Sequence, residues 1–414
     1  MNKYLFALFC VLWITGIYCQ DSLLINHIKE NALELEIDND IWSGEGSEFL
    51  LNAADNNHFF LIGEYHGIAD VALFTSSLLS KIKDKGYQYF ISETGPYTAG
   101  ILESYEDDFN QNIGDHLRKY PFSFPFYNYQ EEAEVLKVLM EENTSYGPAI
   151  WGLDQEFAAS YRMFFQWLCD TATTEESKAV AKEYADMAQA AFTASFEQKN
   201  PAASIMGKLS PNDFNRLEDT FQGQEAGLDL IEELRETTTI YQLWFQGGGY
   251  ESNMRRAALM KKHFNRYYSQ VKDDPNAKVL GKMGANHFYK GRSPLNILDI
   301  GNHIHEVALQ DGKSSFHLFI LPKRGTSNSW NPFSQDEADK KKPFDTLKDG
   351  GRVDLSPLIV GTSDDHYSIV DMRPIRKMLF DRKLKIEDKG LEKMVWSYDA
   401  ILVMPQVTAA TNYD

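Results

Sequence analysis

Cysteine is scarce in this chain, which has three in 414 residues: Cys10, Cys19 and Cys169. The first two lie in or beside an apolar segment at the N-terminus, so only Cys169 remains for the rest of the chain. A single cysteine cannot form an internal disulfide, so the stability of the fold must come from a packed core. Cys169 ends the apolar stretch MFFQWLC, and we expect it to be a buried small hydrophobic residue.

Long apolar runs are absent after residue 18, so we expect no transmembrane segment in the mature chain. Residues 4–18, which follow Lys3, are almost entirely apolar, but a spanning helix needs roughly 20 such residues. A run of this length after a basic residue is typical of a secretory signal. We therefore predict a signal peptide over residues 1–19 and a secreted or periplasmic mature protein. A lipoprotein attached through Cys19 and an uncleaved N-terminal anchor are the alternatives.

Basic residues are in deficit, with 41 Lys and Arg against 60 Asp and Glu, a net charge of −19. Nucleic-acid binding requires clustered basic side chains, so we expect a small-molecule substrate and no nucleic-acid partner. The sequence does not indicate an oligomeric state. It also lacks a Gly-x-Ser-x-Gly elbow, a His-Glu-x-x-His pair and a glycine-rich phosphate-binding loop, which argues against serine-esterase chemistry and nucleotide binding.

Short apolar runs alternate with helical periodicity in the first part of the chain, which is typical of an α/β fold. Buried strands are predicted over 58–63, 87–94, 148–154, near 280 and over 314–322, with further extended segments over 368–376 and 398–405. We predict a central, mainly parallel or mixed sheet flanked by helices. A polar lead-in with one short helix is predicted over 21–57, a helix near 294–310 and a long surface loop over 323–352. Residues 20–414 are interpreted as one domain, with a helical insertion over about 157–270.

Ionisable residues directly follow several of these strands, and this pattern predicts a site. They are Glu64, His66, Glu93, Asp154, His287 and Lys290. Ligands bind open α/β sheets at the carboxyl ends of their strands, so these side chains are expected to converge there. Histidine and carboxylate groups suit two chemistries: general acid–base hydrolysis, and a divalent metal that activates water.

Five of these residues also have a purely structural interpretation. Glu64 and His66 could pair only with each other, Glu93 and Asp154 could cap helices, and His287 could bond a loop carbonyl. The pairs Arg255–Arg256 and His303–His305 lie on predicted helices, where the arginines could be solvated and the histidines structural.

The ordered set of motifs resembles the erythromycin esterase-like superfamily, which also includes ChaN-like haem-binding lipoproteins and, more remotely, TraB/Tiki-type proteins. The resemblance is carried by LIGEYHG (61–67), FISETG (90–95), WGLDQEF (151–157), RRAALM (255–260), GANHFYKG (284–291), LDIGNHIHE (298–306) and YDAILVMPQV (398–407). It spans residues from about 58 to 408.

The resemblance to the esterase branch implies an α/β sheet with a deep cleft, in which His66 activates water against an ester or lactone. Glu64 and Glu93 would be its carboxylate partners, and His287 and Arg256 would belong to the later blocks. We expect His287, with Arg256 or Lys290, to stabilise the oxyanion. We also place Asp70, Asp154 and Lys290 among the substrate-binding residues.

Two positions depart from the esterase pattern. Esterases have two residues between the glutamate and the histidine of the first block, whereas Tyr65 alone separates Glu64 from His66. The late block of esterases holds two histidines, whereas this chain has His287 and, at the other place, Gly284.

The leading hypothesis is therefore an exported hydrolase that needs no cofactor. One alternative is a metal-dependent hydrolase or peptidase of the TraB/Tiki type, with Mn, Co or Zn held by Glu64, His66, Glu93 and His287. The other is a ChaN-type protein that binds haem or another planar ligand through His66, Tyr65 or His287.

Overall fold

The computed structural model describes residues 22–105, 108–329, 334, 336–349, 351 and 353–413. The predicted signal peptide over 1–19, including Cys19, lies outside these residues.

The centre of the fold is a nine-stranded mixed sheet with the order β2-β1-β10-β11-β7-β3-β6-β4-β5. These strands are β1 Ala32–Asp38, β2 Ile41–Ser43, β3 Phe59–Glu64, β4 Tyr87–Ser92, β5 Ile150–Gly152, β6 Lys278–Gly284, β7 Ser315–Pro322, β10 Tyr367–Asp371 and β11 Ala400–Met404. The six strands from β11 to β5 run parallel, whereas β10, β1 and β2 form an antiparallel edge. Two further strands, β8 Arg324–Asn328 and β9 Lys341–Asp345, pair separately.

Helices cover both faces of the sheet, which confirms the predicted α/β class. They are α1 over 22–30, α2 Glu45–Asn56, α3 Ala69–Ile82, α4 Pro96–Glu103, α5 Phe109–Lys119, α6 Gln130–Met140, α7 Tyr161–Thr171, α8 Glu175–Glu197, α9 Pro211–Thr220, α10 Glu225–Phe245, α11 Gly249–Val271, α12 Ile300–Gln310, α13 Glu337–Lys340, α14 Ser356–Gly361, α15 Met372–Phe380 and α16 Lys389–Ser397. None of the helices within the described ranges is both long and apolar enough to cross a membrane.

Strand β3 shows why two layers of helices form. Its residues Phe60 and Ile62 pack into the hydrophobic core on one face, and Phe59 and Leu61 pack into the core on the other. A strand whose successive side chains are all apolar must be covered on both sides. Both faces of β3 are buried, so only residues at the polar, carboxyl end of the strand can reach solvent.

Three sequence predictions are wrong in detail. The segment 21–57 contains two helices and two strands: β1, whose apolar and polar residues alternate, pairs with β10, and the edge strand β2 pairs with β1. The surface loop predicted over 323–352 contains the β8–β9 pair. The segment predicted as extended over 368–376 is strand only to Asp371, whose side chain accepts a hydrogen bond from the Arg373 amide and so begins α15.

The region over 157–270 is helical, with no strand, and contains α7 to α10 and most of α11. Cys169 on α7 is buried and has a free thiol, as predicted. That this region is an insertion in one domain over 20–414 stays a prediction.

Candidate functional site

Three adjacent parallel strands bring the predicted residues to one edge of the sheet. Glu64 is the last residue of β3 and lies opposite Gly284, the last residue of β6. Glu93 follows the end of β4, which is the next neighbour of β6. Because these strands run in the same direction, their carboxyl ends lie side by side.

His66 is held between the two glutamates. Its Nδ1 lies 2.8 Å from Oε1 of Glu64 and its Nε2 lies 3.5 Å from Oε2 of Glu93. The imidazole stacks on the ring of Phe126, with 4.2 Å between centroids, and 35% of the side chain is exposed. Burial alone would lower the pKa of His66, but the charge of Glu93 and the hydrogen bond to Glu64 outweigh it and raise that pKa.

Gly284 provides the space that His66 occupies. A β-carbon at residue 284 would lie 2.8 Å from Nε2 of His66 and 3.4 Å from Oε2 of Glu93. The amide of Gly284 also donates a hydrogen bond of 2.6 Å to Oε2 of Glu93. The glycine therefore allows a close approach of the imidazole and at the same time orients the second carboxylate.

A buried ion network lies beneath His66. Lys282 of β6 donates to Oε1 of Glu64 at 2.8 Å and to Oε1 of Glu132, in the first turn of α6, at 2.9 Å. All three side chains are buried. Burial opposes the ionisation of Glu64, but Lys282 and His66 outweigh it and lower the pKa of Glu64. Burial raises the pKa of Glu132, which Lys282 offsets only in part.

His287 and Arg256 lie on the other side of Glu93. Nε2 of His287 lies 3.3 Å from Oε1 of Glu93, and its Nδ1 lies 2.9 Å from Oδ2 of Asp299. Burial would lower the pKa of His287, but the charges of Asp299 and Glu93 raise it to about 10, so this ring is cationic at neutral pH. Burial disfavours the charged form of Glu93, but His287, His66 and Arg256 outweigh it and hold the pKa of Glu93 well below its ordinary value.

Arg256 of α11 joins Glu93 to the end of β5. Its Nη2 donates to Oε1 of Glu93 at 3.0 Å and also to Asp154, while its Nε donates to Oδ1 of Asp154 at 2.7 Å. Asp154 follows the short strand β5, and no helix-capping bond is made by its side chain. A fork of this kind fixes the orientation of the guanidinium.

These residues form part of the wall of a cavity of about 850 Å³. Glu64, His66, Glu93, Asp154, Arg256 and His287 all line it. Much of the remaining lining is apolar, from Phe126, Phe157, Met206, Tyr241, Trp244, Phe245, Tyr289, Leu295, Phe319 and Met394. Cavities of roughly 300–1,000 Å³ with a few convergent polar groups are typical small-molecule sites.

Neither a family model nor a curated protein sequence matches this chain. Among solved structures, a mutant of erythromycin esterase EreC in its open conformation matches with a TM-score of 0.59 and 15% identity, over 89% of this chain and 95% of that one. This chain has the erythromycin esterase fold. A Bacillus cereus protein (TM-score 0.60, 13% identity) and a succinoglycan biosynthesis protein (0.57, 12%) each match over 95% of this chain and 99% of their own. At these identities the likeness concerns the fold alone.

Two of the predicted residues do not reach the cavity of this erythromycin esterase fold. Asp70, in the first turn of α3, accepts hydrogen bonds from the amide and hydroxyl of Thr408 at 2.6 and 2.8 Å. Lys290 donates to Asp399 at 2.6 Å and to the carbonyl of Ser315. Neither residue is part of the cavity lining, so the expected roles of Asp70 and Lys290 in substrate binding stay predictions without support from this geometry.

Arg255, His303 and His305 have structural partners outside the cavity. Arg255 points to solvent and forms a two-pronged ion pair with Glu236, unlike its neighbour Arg256. His303 bonds Asn265, and His305 bonds the hydroxyl of Ser315, both outside the cavity lining.

The sequence analysis missed four residues of the site. They are Lys282, Glu132, Asp299 and Phe126. Lys282 carried a signal, because it is a charged residue within the buried strand sequence KVLGKMG. Asp299 also carried one, since it precedes α12 and accepts from the amide of Ile300, as an N-terminal cap does. Glu132 and Phe126 lie far from the motifs in sequence and reach the site only through the packing of α6 and the segment before it.

The four candidate metal ligands, Glu64, His66, Glu93 and His287, all have other partners in this geometry. Glu64 is bound by Lys282 and Glu93 by Arg256, so two cations already occupy carboxylate oxygens that a divalent metal would need. Among the described residues, three metal-ligating side chains have donor atoms that all lie within 4.8 Å of one another, and these are Glu34, Glu36 and His366 on the surface. In this arrangement the four residues do not fit a metal.

Proposed function

We propose that the protein is an exported hydrolase that cleaves an ester or lactone-like bond with water activated by His66. The observation that carries the proposal is the bonding of His66: Nδ1 faces the ionised Glu64, and Nε2 lies over Gly284 at the cavity wall. Glu64 at 2.8 Å from Nδ1 holds the ring hydrogen more strongly than Glu93 at 3.5 Å from Nε2, so the lone pair is on Nε2 when the ring is neutral.

The reaction follows the ordinary steps of acid–base hydrolysis. Nε2 of His66 takes a proton from water while the water oxygen bonds to the carbonyl carbon and the carbonyl oxygen becomes an oxyanion. When the tetrahedral intermediate collapses, the carbon–oxygen bond to the leaving alkoxide breaks. The imidazolium then gives its proton to the alkoxide, so acid and alcohol are released and the enzyme is restored.

The cationic groups of the site suit the charge that develops. His287 and Arg256 are both positively charged and line the same cavity. Fixed positive charge near a developing oxyanion is commonly the largest catalytic contribution. We therefore assign oxyanion stabilisation to His287 and Arg256.

The cavity lining points to a substrate with a bulky apolar body. Aromatic and aliphatic side chains dominate the wall, and the polar groups are concentrated at the ends of β3, β4, β5 and β6. A pocket of this type gains most of its binding free energy from apolar burial, while a few polar groups orient the reacting bond.

The proposal is tested by assaying chelator-treated protein on chromogenic esters of increasing acyl size and on lactones of several ring sizes. We expect turnover to rise from acetyl to bulky aromatic or alicyclic acyl groups. Binding of apolar ligands without turnover in any class would contradict the hydrolase and leave a binding protein. Activity that is lost on chelation and restored by Mn²⁺, Co²⁺ or Zn²⁺ would favour the metal-dependent alternative.

The pH dependence of kcat/KM provides a second test. A base must be neutral to act, so activity should rise with pH as His66 loses its proton. Because Glu93 and Glu64 raise the pKa of His66, the inflection should lie above the ordinary value of 6.5. Glu93→Gln removes one of these charges and should move the inflection to lower pH, whereas Glu236→Gln on the surface should not move it. An inflection that stays in place in Glu93→Gln would contradict the role of His66.

Export is part of the proposal and is supported by the N-terminal apolar segment alone. We expect the protein from an intact cell to begin near residue 20, and mass spectrometry of the purified chain measures this directly. A diacylglycerol-modified N-terminal Cys19, lost in Cys19→Ser, would instead support the lipoprotein. A chain that retains residues 1–19 would contradict both forms of processing.

A further inference from the structure

Two phenylalanines of the segment before α6 have a left-handed backbone conformation. The φ angle is 63° at Phe122 and 65° at Phe126, and among the residues that the structure describes these are the aromatic ones with a positive φ. In this region the β-carbon lies too close to a carbonyl oxygen, so glycine or asparagine normally takes such a position. Each phenylalanine therefore carries conformational strain that contacts elsewhere must offset.

Hydrogen bonds hold Phe126 in a tight turn beside the site. The amide of Tyr127 donates to the carbonyl of Pro125 at 2.8 Å, so Phe126 is the central residue of a three-residue γ-turn. The form of this turn that has a positive φ is rare and strained. The hydroxyl of Tyr127 lies 3.0 Å from Oγ of Ser92, the last residue of β4, and both side chains are buried. The turn is therefore attached to the end of the strand that leads into Glu93.

The strained turn places the ring of Phe126 against the imidazole of His66. The two ring centroids are 4.2 Å apart and the ring planes differ by 26°. Glu64 holds the imidazole at Nδ1, but one hydrogen bond leaves the last side-chain torsion angle of a histidine soft. Glu93 lies 3.5 Å from Nε2 and restrains the ring less. A flat aromatic face removes much of this freedom, because turning the imidazole would drive one of its edges into the phenyl ring.

The stack orients the atom that the proposed reaction requires. Nε2 of His66 lies over Gly284, and His66, Gly284 and Phe126 all line the cavity. A catalytic group must keep a fixed distance and angle to the reacting bond, and a misplacement of about 1 Å can cost about 10²-fold in rate. Backbone strain that persists at a functional site is often part of such preorganisation.

We propose that Phe126 is a positioning residue, which its strained turn holds against His66 so that the imidazole keeps one orientation. This inference rests on the proposed function, in which His66 is the base. Phe126 acts on the reaction through His66 and takes no part in proton transfer. The fold bears the cost of a left-handed phenylalanine because glycine or asparagine would fit the turn but would not supply the aromatic face.

Steady-state kinetics of two variants at residue 126 test the role of the ring. Phe126→Leu keeps an apolar side chain without a flat face and should lower kcat at least about tenfold. Phe126→Tyr keeps the flat face and should retain most of kcat. An unchanged kcat in Phe126→Leu would overturn the inference, and so would an equal loss in Phe126→Tyr.

Glycine and alanine at residue 126 separate activity from stability. Glycine is ordinarily the less stable of the two, because it gives the unfolded chain more freedom. At a φ of 65° the order should reverse, so Phe126→Gly should melt at a higher temperature than Phe126→Ala. Both should lose kcat to the same extent, because neither has a ring. An alanine variant that melts at or above the glycine variant would show that no strain is held here and would overturn the inference.

Phe122 provides the matched control, since it is the same residue type at nearly the same φ. The amide of Ser123 donates to the carbonyl of Tyr120 at 3.1 Å, so Phe122 is third in a four-residue turn, where glycine usually takes a positive φ. Its ring stacks on Phe196 with 5.4 Å between centroids, outside the lining of the main cavity. Phe122→Gly should also melt above Phe122→Ala, yet both should keep the kcat of the unaltered enzyme. A loss of kcat as large as that at residue 126 would overturn the inference.

NMR of the full-length mature protein with labelled histidine measures the stack without any substrate. Protons that lie over an aromatic face are shifted upfield by its ring current, so the ring protons of His66 should show this shift. Their signals, assigned by their loss in His66→Ala, should stay in place in Phe126→Tyr and move downfield in Phe126→Leu. Signals that do not move in Phe126→Leu would overturn the inference. A protein that hydrolyses no ester but shows the expected shift would contradict the proposed function while still supporting the fixed imidazole.

Discussion

Replacement of His66 by alanine is expected to reduce kcat on any ester substrate by about 10²–10⁴-fold, the usual contribution of a general base. The imidazole is partly exposed and stacks on Phe126, so its removal leaves no buried charge without a partner and the fold should persist. The measurement is steady-state kinetics, with the circular dichroism spectrum and melting temperature of the variant recorded beside it.

His303→Ala is the matched control for this prediction, because His303 bonds Asn265 outside the cavity lining. It should retain the kcat and KM of the unaltered enzyme. Full activity of a folded His66→Ala protein would remove His66 as the base. An equal loss in both variants would point to a general effect of histidine removal on the preparation.

Replacement of Lys282 by methionine is expected to lower the free energy of unfolding by about 3–5 kcal/mol, the usual cost of removing one partner of a buried ion network. Glu64 and Glu132 would remain buried without their shared cation, and only Glu64 would keep a second partner, His66. Urea denaturation at neutral pH measures the change.

Two further variants make this prediction specific. Lys262→Met removes an exposed lysine paired with Glu232 and should change the stability by less than ~1 kcal/mol. Adding Glu132→Gln to Lys282→Met removes one of the two buried carboxylates that lose Lys282 and should restore part of the lost stability. A Lys282→Met protein as stable as the parent would show that the network does not hold the strand ends together.

The parts of the fold that the sequence predicted best are those whose pattern is local. The strand β3 is an unbroken apolar run ended by Gly63 and Glu64. A short apolar run of this kind in an α/β chain is typical of a buried strand. The pair β8–β9 was missed because its residues are polar and its pairing depends on contacts between strands 13 or more residues apart. Polar strands have no periodicity that distinguishes them from loops.

The candidate site was predictable to the extent that its residues follow buried strands. Glu64, His66, Glu93, Asp154 and His287 line one cavity, as the parallel-strand argument requires. Lys290 satisfied the same rule but points to Asp399 instead, because a side chain three residues beyond His287 lies outside the strand edge.

The rule that site residues follow buried strands could not find Glu132. Glu132 comes from a helix, and its place beside Lys282 depends on how α6 packs against the sheet. No spacing within the sequence encodes that contact. Charged residues within buried strands, such as Lys282, are the part of this network that sequence reasoning can use.

Gly284 and the short GEYH segment have a joint consequence for how this lineage can vary. A side chain at 284 would collide with the imidazole of His66, so the glycine and the spacing from Glu64 to His66 should change together in descendants of the same ancestor. We expect a histidine at the place of Gly284 only in relatives with a longer spacing, because His66 takes up that space in this chain. An alignment of relatives would test this at a pair of positions about 220 residues apart in sequence and adjacent in space.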